Sequence, residues 1–466
     1  WDKNGKKYLD AVAGIATCSL GHSDRVLRKK LSAQLKKIQH ISNLYNIEEQ
    51  EVLSQLLTNS SCAESVFFCN SGAEAIESAI KLIKKYGNNK DNSKESLILA
   101  AESSFHGRTI GALSATGQPK YQKGFEPLLS GFRFFKYNKI DSIRKIFSES
   151  VQNKQRISGI IIEPIQGEGG VIPGEKKFFR ELRELCDKND TLLILDEVQS
   201  GVGRTGKMWG YENLGIEPDA FTLAKGLGGG HPIGALLVNK KANIFNPGDH
   251  ASTFGGNPFA CRAAITVLEE IKRRNLLQNV ISRGNQIEEG LSQMASDFPH
   301  IIKGRRGMGL LQGIVLQENS IDLKSVTSKA FDNGLLIVAA GGNVIRIVPP
   351  LTISRNETKQ LLKKLYSIFK YFWWKQLQEI NTTNFNFYSP ENERTNIQLG
   401  ISRVKNALNK LDNPCINIPA IQVVGTNGKG SITAFIENIL CSSDISVGVA
   451  TSPHLIDITE RIRFKK

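Results

Sequence analysis

The chain has 466 residues, of which 40% are hydrophobic and 23% are charged, proportions that fit a folded globular protein rather than a disordered one. This length suffices for two or three domains with cores of their own. No apolar run approaches the roughly 18 residues that a bilayer span needs, so we expect no membrane partner. The net charge of +15 is spread along the chain without a basic block, which favours a solvated surface attractive to anionic substrates over a nucleic-acid partner.

Cysteine spacing and the first residues bear on the cellular compartment. Seven cysteines are scattered without a C-x-x-C pair, which predicts reduced thiols in a cytoplasmic protein and neither a disulfide framework nor a metal site. The opening segment, WDKNGKKYLD, is polar and does not resemble a signal peptide. It lacks an initial Met and has the pattern of a hairpin with its turn at residues 3–5. We therefore expect that further residues precede Trp1.

The first candidate site follows an apolar run at residues 65–70, which predicts a strand. The chain then passes through Ser71, Gly72 and Ala73 into a segment with apolar residues at 76, 79, 80 and 83, the spacing of a helix. Free N–H groups and the helix dipole at such a turn can bind an anion. The motif is weak by itself, because most such turns are plain helix caps.

A second predicted strand, residues 97–100, is followed by the segment SFHGRT at residues 104–109. Phe105 is an aromatic residue that can stack on a pyridine ring. Arg108 can bind a carboxylate in bidentate fashion. The alternatives are ordinary core packing for Phe105 and a surface ion pair of little energetic value for Arg108.

The most informative stretch runs from residue 191 to residue 230. Two apolar runs predict strands, and the first leads into Asp196 while the second leads into Lys225 and a glycine-rich turn. Ligands of open α/β sheets bind at the carboxyl ends of the strands. A carboxylate for a pyridinium nitrogen, with a lysine that bonds to the cofactor, is what a protein supplies to pyridoxal phosphate chemistry. Each residue alone suits a cap or a surface position, but together they predict this cofactor.

The same stretch resembles a signature of the class III aminotransferases that depend on pyridoxal phosphate: D-E-V-Q, then G-R-T-G, then a lysine before glycines. The segments EPIQGEGG (163–170) and ASTFGGNP (251–258) resemble further motifs of that family, and the resemblance spans nearly all of residues 1–371. It implies an α/β protein of the type I transferase fold, with a mostly parallel sheet, helices on both faces and a small α+β domain. The expected parts are small-domain residues 1–50, a large cofactor domain 51–275, and small-domain residues 276–374.

The resemblance also implies roles for individual residues. Lys225 would hold the cofactor and move a proton, and Asp196 would keep the ring nitrogen protonated. The other implied cofactor contacts are Ser71, Gly72 and Ala73 at the phosphate, Phe105 and Val198 at the ring faces, Gln199 at the ring hydroxyl, Glu197, and Thr253 of a neighbouring subunit. The implied substrate contacts are Arg108, Glu163, Glu168, Ser252 and Arg346, with Glu168 pairing Arg346 until a dicarboxylate arrives. The Thr253 contact implies a homodimer with shared active sites.

Within this family the sequence most resembles enzymes that act on N2-acetylornithine. That resemblance implies transfer of the δ-amino group to 2-oxoglutarate, giving N-acetylglutamate 5-semialdehyde and glutamate in arginine biosynthesis. Ornithine, succinylornithine and 4-aminobutyrate stay open as amine donors, because Arg108 suits the carboxylate of each. A binding protein without activity is a further alternative, against which the presence of both Asp196 and Lys225 argues.

The end of the chain has a different character. A polar, Asn-rich segment predicts a linker at residues 375–388. In the segment 389–466, a glycine-rich loop lies between a predicted strand and a predicted helix, an arrangement that binds phosphate: Gly425, Thr426, Asn427, Gly428, Lys429, Gly430 and Ser431. Position 423 is Val, so the strict P-loop spacing is not met. The loop resembles instead the folylpolyglutamate synthase and Mur ligase family, which implies a partial P-loop α/β segment that binds ATP with Mg²⁺.

We expect no ligase activity and at most weak nucleotide affinity from this segment, because the resemblance covers only a small part of such a ligase. ATP hydrolysis by the full chain should therefore stay at background and should not change in Lys429→Ala. A phosphate-release assay checks this, and hydrolysis that is lost in the variant would contradict the expectation.

Overall fold

The computed structural model describes residues 1–91 and 95–384, and in the remainder residues 421, 433, 436, 439–440, 447–450 and 462–465. The chain divides into two units, Trp1–Asn384 and Phe385–Lys466. Across the residues described, no helix combines the length and the apolar character that a membrane crossing requires.

The helices and strands of the first unit alternate along most of its length. Its helices are α1 (Ala13–Ala16, a single left-handed turn), α2 (Arg25–Gln34), α3 (Glu48–Thr58), α4 (Gly72–Lys90), α5 (Ile110–Ser114), α6 (Pro119–Gln122), α7 (Ile140–Gln152), α8 (Lys176–Lys188), α9 (Pro258–Arg273), α10 (Leu276–Asp297), α11 (Leu323–Asp332) and α12 (Arg355–Asn384). Its strands are β1 (Leu9–Asp10), β2 (Ser65–Cys69), β3 (Ser96–Ala101), β4 (Phe132–Phe135), β5 (Arg156–Ile162), β6 (Ile165–Gln166), β7 (Ile172–Pro173), β8 (Leu192–Asp196), β9 (Ala220–Leu223), β10 (Gly234–Val238), β11 (Ile302–Met308), β12 (Leu311–Leu316), β13 (Leu335–Leu336), β14 (Val338–Ala340) and β15 (Val344–Ile347).

The central element is a seven-stranded sheet with the order β2-β10-β9-β8-β5-β3-β4. Its neighbours run parallel except for β10, which is antiparallel to both β2 and β9. Every residue of β8 and β9 is buried, as expected for strands covered on both faces. The register places Asp196, the last residue of β8, beside Thr222 of β9.

Helices cover both faces of this sheet, because alternate residues of each strand point to opposite sides. In β8, Leu193 and Leu195 belong to one hydrophobic core, whereas Ile194 belongs to a second core. The first core includes Phe179 of α8, and the second includes Ile76 of α4. The α/β class expected from the sequence is therefore confirmed, with a mixed sheet at its centre.

A second sheet of four antiparallel strands has the order β11-β12-β15-β14. Near it, the strands β1 and β13 pair in parallel, with Leu9 opposite Leu335. The predicted hairpin at the start of the chain is wrong in part. A turn does form, in which the Asp2 N–H donates to the Lys6 carbonyl oxygen at 3.0 Å. The arm before this turn is only two residues long, too short for a ladder, so the following strand pairs with β13 instead.

The predicted linker at 375–388 also needs correction, because α12 extends to Asn384. Residues 375–380, KQLQEI, contain neither Gly nor Pro and are mostly good helix formers, so the helix continues through them. In the second unit, strands β16 (Val447–Ala450) and β17 (Ile462–Lys465) pair antiparallel. The predicted nucleotide loop, residues 425–431, lies outside the described residues.

Candidate active site

A cavity of about 350 Å³ opens at the carboxyl ends of the central strands. This is the position at which open α/β sheets bind their ligands. The strands β2, β3, β5, β8 and β9 all end at the same edge of the sheet. The segments that follow them therefore begin there, which brings together residues from distant parts of the sequence. Ten residues predicted from the sequence line the cavity: Ser71, Gly72, Ala73, Phe105, Glu163, Glu168, Asp196, Val198, Gln199 and Lys225.

The carboxylate of Asp196 is buried and held from several directions. Its Oδ1 accepts hydrogen bonds from the Val198 N–H at 3.0 Å and from the Thr222 hydroxyl at 3.2 Å. Its Oδ2 lies 2.7 Å from Nδ1 of His106. These bonds fix the orientation of an acceptor in a site shielded from water, which suits the protonated nitrogen of a pyridine ring.

His106 is a site residue that the sequence analysis did not identify. Its imidazole is buried, lines the cavity and pairs with Asp196, whereas its Nε2 has no hydrogen-bond partner among the described residues. Burial opposes a charge on the ring, but the hydrogen bond and charge of Asp196, with the charge of Glu163, raise the pKa of His106 on balance. The available signal was its place directly after Phe105, in a segment that follows a strand of the central sheet.

Lys225 lies at the start of a 3-10 turn (Lys225–Gly228), two residues after the last residue of β9. Its φ of +40° falls in the left-handed region that favours glycine, and strain of this kind clusters at functional sites. Burial and the positive charge of Arg346 lower the pKa of Lys225, although Asp196 and two glutamates oppose that shift. A lowered pKa leaves more of the amine neutral, as a nucleophile or a base requires.

The first turn of α4 forms another wall of the cavity. The Ser71 hydroxyl oxygen accepts a hydrogen bond from the Glu74 N–H at 3.2 Å and so caps the helix. Gly72 and Ala73 line the cavity with N–H groups that have no partner within the helix. A Cβ atom at Gly72 would lie 2.9 Å from Val198, so a larger residue would disturb this wall. The arrangement fits the phosphate of a bound ligand.

Glu163 holds two cavity loops together. Its carboxylate accepts hydrogen bonds from the Phe105 N–H and from the Gly167 N–H, each at 3.2 Å. Burial raises the pKa of Glu163 to about 7, against the lowering effect of His106. The Glu163 side chain therefore positions Phe105. It also lines the cavity, where a contact with substrate was expected from the sequence.

Glu168 and Arg346 meet as the resemblance implied. The Arg346 side chain, 1% exposed, lies 2.7 Å from the Glu168 carboxylate. The same guanidinium donates to the amide oxygen of Gln199 at 3.0 Å. Gln199 was expected to bond a ring hydroxyl; its amide oxygen is engaged by Arg346, which links this part of the cavity lining to the ion pair, and its amide N–H groups stay available for the expected bond.

Glu197 does not occupy the position expected for a cofactor contact. It follows Asp196, and consecutive side chains at a strand end point to opposite sides. Its buried carboxylate accepts hydrogen bonds from the N–H groups of Gly210 and Tyr211, each at 2.6 Å. Burial raises the pKa of Glu197 to about 7. The structure thus places Glu197 as a support for the loop at residues 210–211, outside the cavity lining.

Arg346 contacts the cavity-lining residues Glu168 and Gln199 but does not itself line the cavity, and three further predicted contacts also lie outside the lining of the described chain. Arg108 is exposed, with its guanidinium 4.3 Å from the ring centre of Tyr121 and 5.4 Å from that of Phe105. The Ser252 hydroxyl oxygen accepts from the Gly255 N–H at 3.0 Å. Thr253 is exposed. Tyr121 was missed by the sequence analysis, because nothing in its local sequence shows that it supports an arginine.

The structure also bears on metals and thiols. Within the described segments, no group of three or more His, Cys, Asp or Glu side chains is arranged to hold a metal ion. The five cysteines described there are free.

Comparison with known proteins places the same features in one family. The family model "Aminotransferase class-III" matches residues 1–369. The chain is 75% identical over 370 residues to the acetylornithine aminotransferase of Prochlorococcus marinus subsp. pastoris, covering 79% of this chain and 89% of that one. The segment that carries the predicted nucleotide loop lies beyond the residues that the family model matches.

Solved structures agree with this likeness. The N-acetylornithine aminotransferase of Stenotrophomonas maltophilia is 34% identical with a TM-score of 0.69, covering 80% of this chain and 94% of that chain. An ornithine aminotransferase of Toxoplasma gondii, whose active site is described as partially occupied by PLP, is 28% identical with a TM-score of 0.76 and covers 80% of this chain and 89% of that chain.

The pairing of His106 with Asp196 leads to a prediction. His106→Phe should weaken pyridoxal phosphate binding about ten- to hundredfold, because a buried charge-assisted hydrogen bond to Asp196 is lost. His106→Asn should keep most of the affinity, since its amide nitrogen lies close to the position of Nδ1. Titration of the cofactor-free protein by fluorescence measures both. The exposed His300→Asn serves as control, and equal affinity in His106→Phe would contradict the role.

Proposed function

The chain belongs to the class-III aminotransferase family, and we propose that it transfers the δ-amino group of N2-acetylornithine to 2-oxoglutarate with pyridoxal phosphate as cofactor. The reaction is a step of arginine biosynthesis and yields N-acetylglutamate 5-semialdehyde and glutamate. The observation that carries this proposal is the convergence of Asp196, Lys225 and the start of α4 on one cavity, in a chain similar to acetylornithine aminotransferases.

The cavity contains groups that fit the ring and the phosphate of pyridoxal phosphate. The fixed carboxylate of Asp196 would hold a proton at the ring nitrogen. The N–H groups of Gly72 and Ala73 would bind the phosphate, and Phe105 and Val198 would pack against the ring. Pyridoxal phosphate, when bound, supplies the aldehyde that takes up the amine and the ring that delocalises the electron pair at the reacting carbon.

Lys225 acts as nucleophile and as proton carrier. Its amine would hold the cofactor covalently until the substrate amine replaces it. The freed amine would then take a proton from the reacting carbon of the substrate and deliver it to the cofactor. Both tasks need a neutral amine near pH 7, and burial beside Arg346 lowers the pKa of Lys225 in that direction.

The pair formed by Glu168 and Arg346 lets one cavity accept two different substrates. The reacting carbon of N2-acetylornithine carries no carboxylate, so an unpaired Arg346 would be left buried without an anion. The reacting carbon of 2-oxoglutarate carries a carboxylate, which can replace Glu168 at the guanidinium. Glu168 therefore neutralises Arg346 in the half-reaction with N2-acetylornithine and releases it to the substrate carboxylate in the half-reaction with 2-oxoglutarate.

Arg108 is proposed to bind the distant carboxylate that both substrates share. It has no acidic partner among the described residues, and the rings of Tyr121 and Phe105 hold its guanidinium in place. Phe105 lines the cavity, so the arginine lies beside it.

The protein is proposed to act as a homodimer. Leu44, Tyr45 and Phe254 are 87%, 65% and 60% exposed, and such large exposed side chains often mark an interface. Their two segments touch, because Asn43 donates to the Ser252 carbonyl oxygen at 2.9 Å. Thr253 lies in this surface and would reach the phosphate site of a second copy.

The central test is the replacement of the lysine. Lys225→Ala should lower turnover at least about a thousandfold, because the nucleophile and proton carrier are removed together. Circular dichroism should show the same fold as the parent chain. The exposed Lys207→Ala should keep full activity.

Turnover retained in Lys225→Ala would contradict the proposal. A panel of amine donors, measured on the parent chain with 2-oxoglutarate, tests the substrate separately. N2-acetylornithine should give the highest kcat/KM, ahead of ornithine, succinylornithine and 4-aminobutyrate. A higher value for one of the others would identify that amine as the donor.

A further inference from the structure

Arg306 of β11 is an arginine without a partner in the described part of the chain. The side chain is half-buried, its Nε is fully buried, and no described residue forms a hydrogen bond or an ion pair with any of its donors. Its neighbour Arg305 points to the opposite face of the strand and pairs with Glu288 of α10. A part-buried guanidinium without hydrogen bonds is costly, so its retention requires an explanation.

The guanidinium of Arg306 lies against the loop that carries Glu168. A Cβ atom built at Gly170 would lie 3.0 Å from Nη2 of Arg306, and one built at Gly342 would lie 3.3 Å away. These glycines belong to two backbone segments that touch, since the Gly341 N–H donates to the Glu168 carbonyl oxygen at 2.8 Å. The unpartnered guanidinium of Arg306 is therefore next to the loop that carries Glu168.

Glu168 is placed to change partners. Its neighbours in the sequence are Gly167, Gly169 and Gly170, so it is the only residue of this stretch with a side chain. Its side chain is 19% exposed while its carboxylate pairs with Arg346. When the carboxylate of an acceptor takes Arg346, Glu168 is left as a part-buried charge without a partner, which is unfavourable.

We propose that Arg306 is the second partner of Glu168, which receives its carboxylate whenever a substrate carboxylate occupies Arg346. Glu168 is two residues from Gly170, whose backbone lies against the Arg306 guanidinium, so both partners of the proposed exchange adjoin the same loop. Arg306 touches neither substrate nor cofactor in this account. It is a positioning residue that favours acceptors with a carboxylate beside the reacting carbonyl, and the inference rests on the proposed function.

Single-turnover kinetics of the holoenzyme test this role. Arg306→Gln should lower kcat/KM for the half-reaction with 2-oxoglutarate on the order of tenfold, because the displaced Glu168 loses its partner. The half-reaction with N2-acetylornithine, which leaves Glu168 on Arg346, should keep its rate. Arg306→Lys should restore part of the loss, and Arg305→Gln is the matched control that should alter neither half-reaction.

A double variant separates this role from simple support of the loop. In a Glu168→Gln background there is no charge to receive, so adding Arg306→Gln should cause no further loss with 2-oxoglutarate. Equal losses in both half-reactions, no loss in either, or the same loss in the Glu168→Gln background would overturn the proposal. If the parent chain itself does not turn over N2-acetylornithine and 2-oxoglutarate, the proposed function has failed instead.

A structure of the parent holoenzyme with glutarate gives a readout that needs neither activity nor a variant. Glutarate carries two carboxylates and no carbonyl to react, so it can occupy Arg346 without turnover. The Glu168 carboxylate should then lie within hydrogen-bond distance of the Arg306 guanidinium. A Glu168 that points to solvent or to another residue, with glutarate on Arg346, would overturn the proposal.

Discussion

The active site depends on one buried carboxylate at the end of a central strand. Asp196 is held by Val198, Thr222 and His106, so it cannot turn away from the cavity. A charge in this position is tolerated because each oxygen has hydrogen-bond donors. The sheet places Lys225 one strand away, after β9. The spacing between a fixed anion and a nucleophilic amine is thus set by strand pairing rather than by flexible loops.

The charges that line the cavity and the adjacent charge of Arg346 act on one another. Lys225 and Arg346 are cations, and Asp196, Glu163 and Glu168 are the acids that face them. In the proposed function, the lysine must lose its proton to act as nucleophile and base, whereas the arginine must keep its charge to bind a carboxylate. Burial and the neighbouring arginine lower the pKa of Lys225, and Glu168 pairs directly with the guanidinium. One arrangement of charges therefore serves both tasks.

The sequence was informative where function depends on local order. Buried parallel strands appear as apolar runs, and both Asp196 and Lys225 directly follow such runs. The hydrogen bond between His106 and Asp196 joins residues 90 positions apart, and the surroundings of Arg306 come from two separate loops, so neither could be predicted from spacing. Glu197 is different. Side chains alternate between the two faces of a strand, so the sequence already indicated that Glu197 points away from the side on which Asp196 lies.

The measurement that tests the central claim most directly is the visible absorption spectrum of the protein with pyridoxal phosphate, before and after addition of N2-acetylornithine alone. The account predicts an absorption band of the cofactor bonded to Lys225, which bleaches when the amine donor is added. A band that never forms would contradict the proposed cofactor site. A band that forms but bleaches only with a different amine, such as ornithine or 4-aminobutyrate, would contradict the proposed substrate.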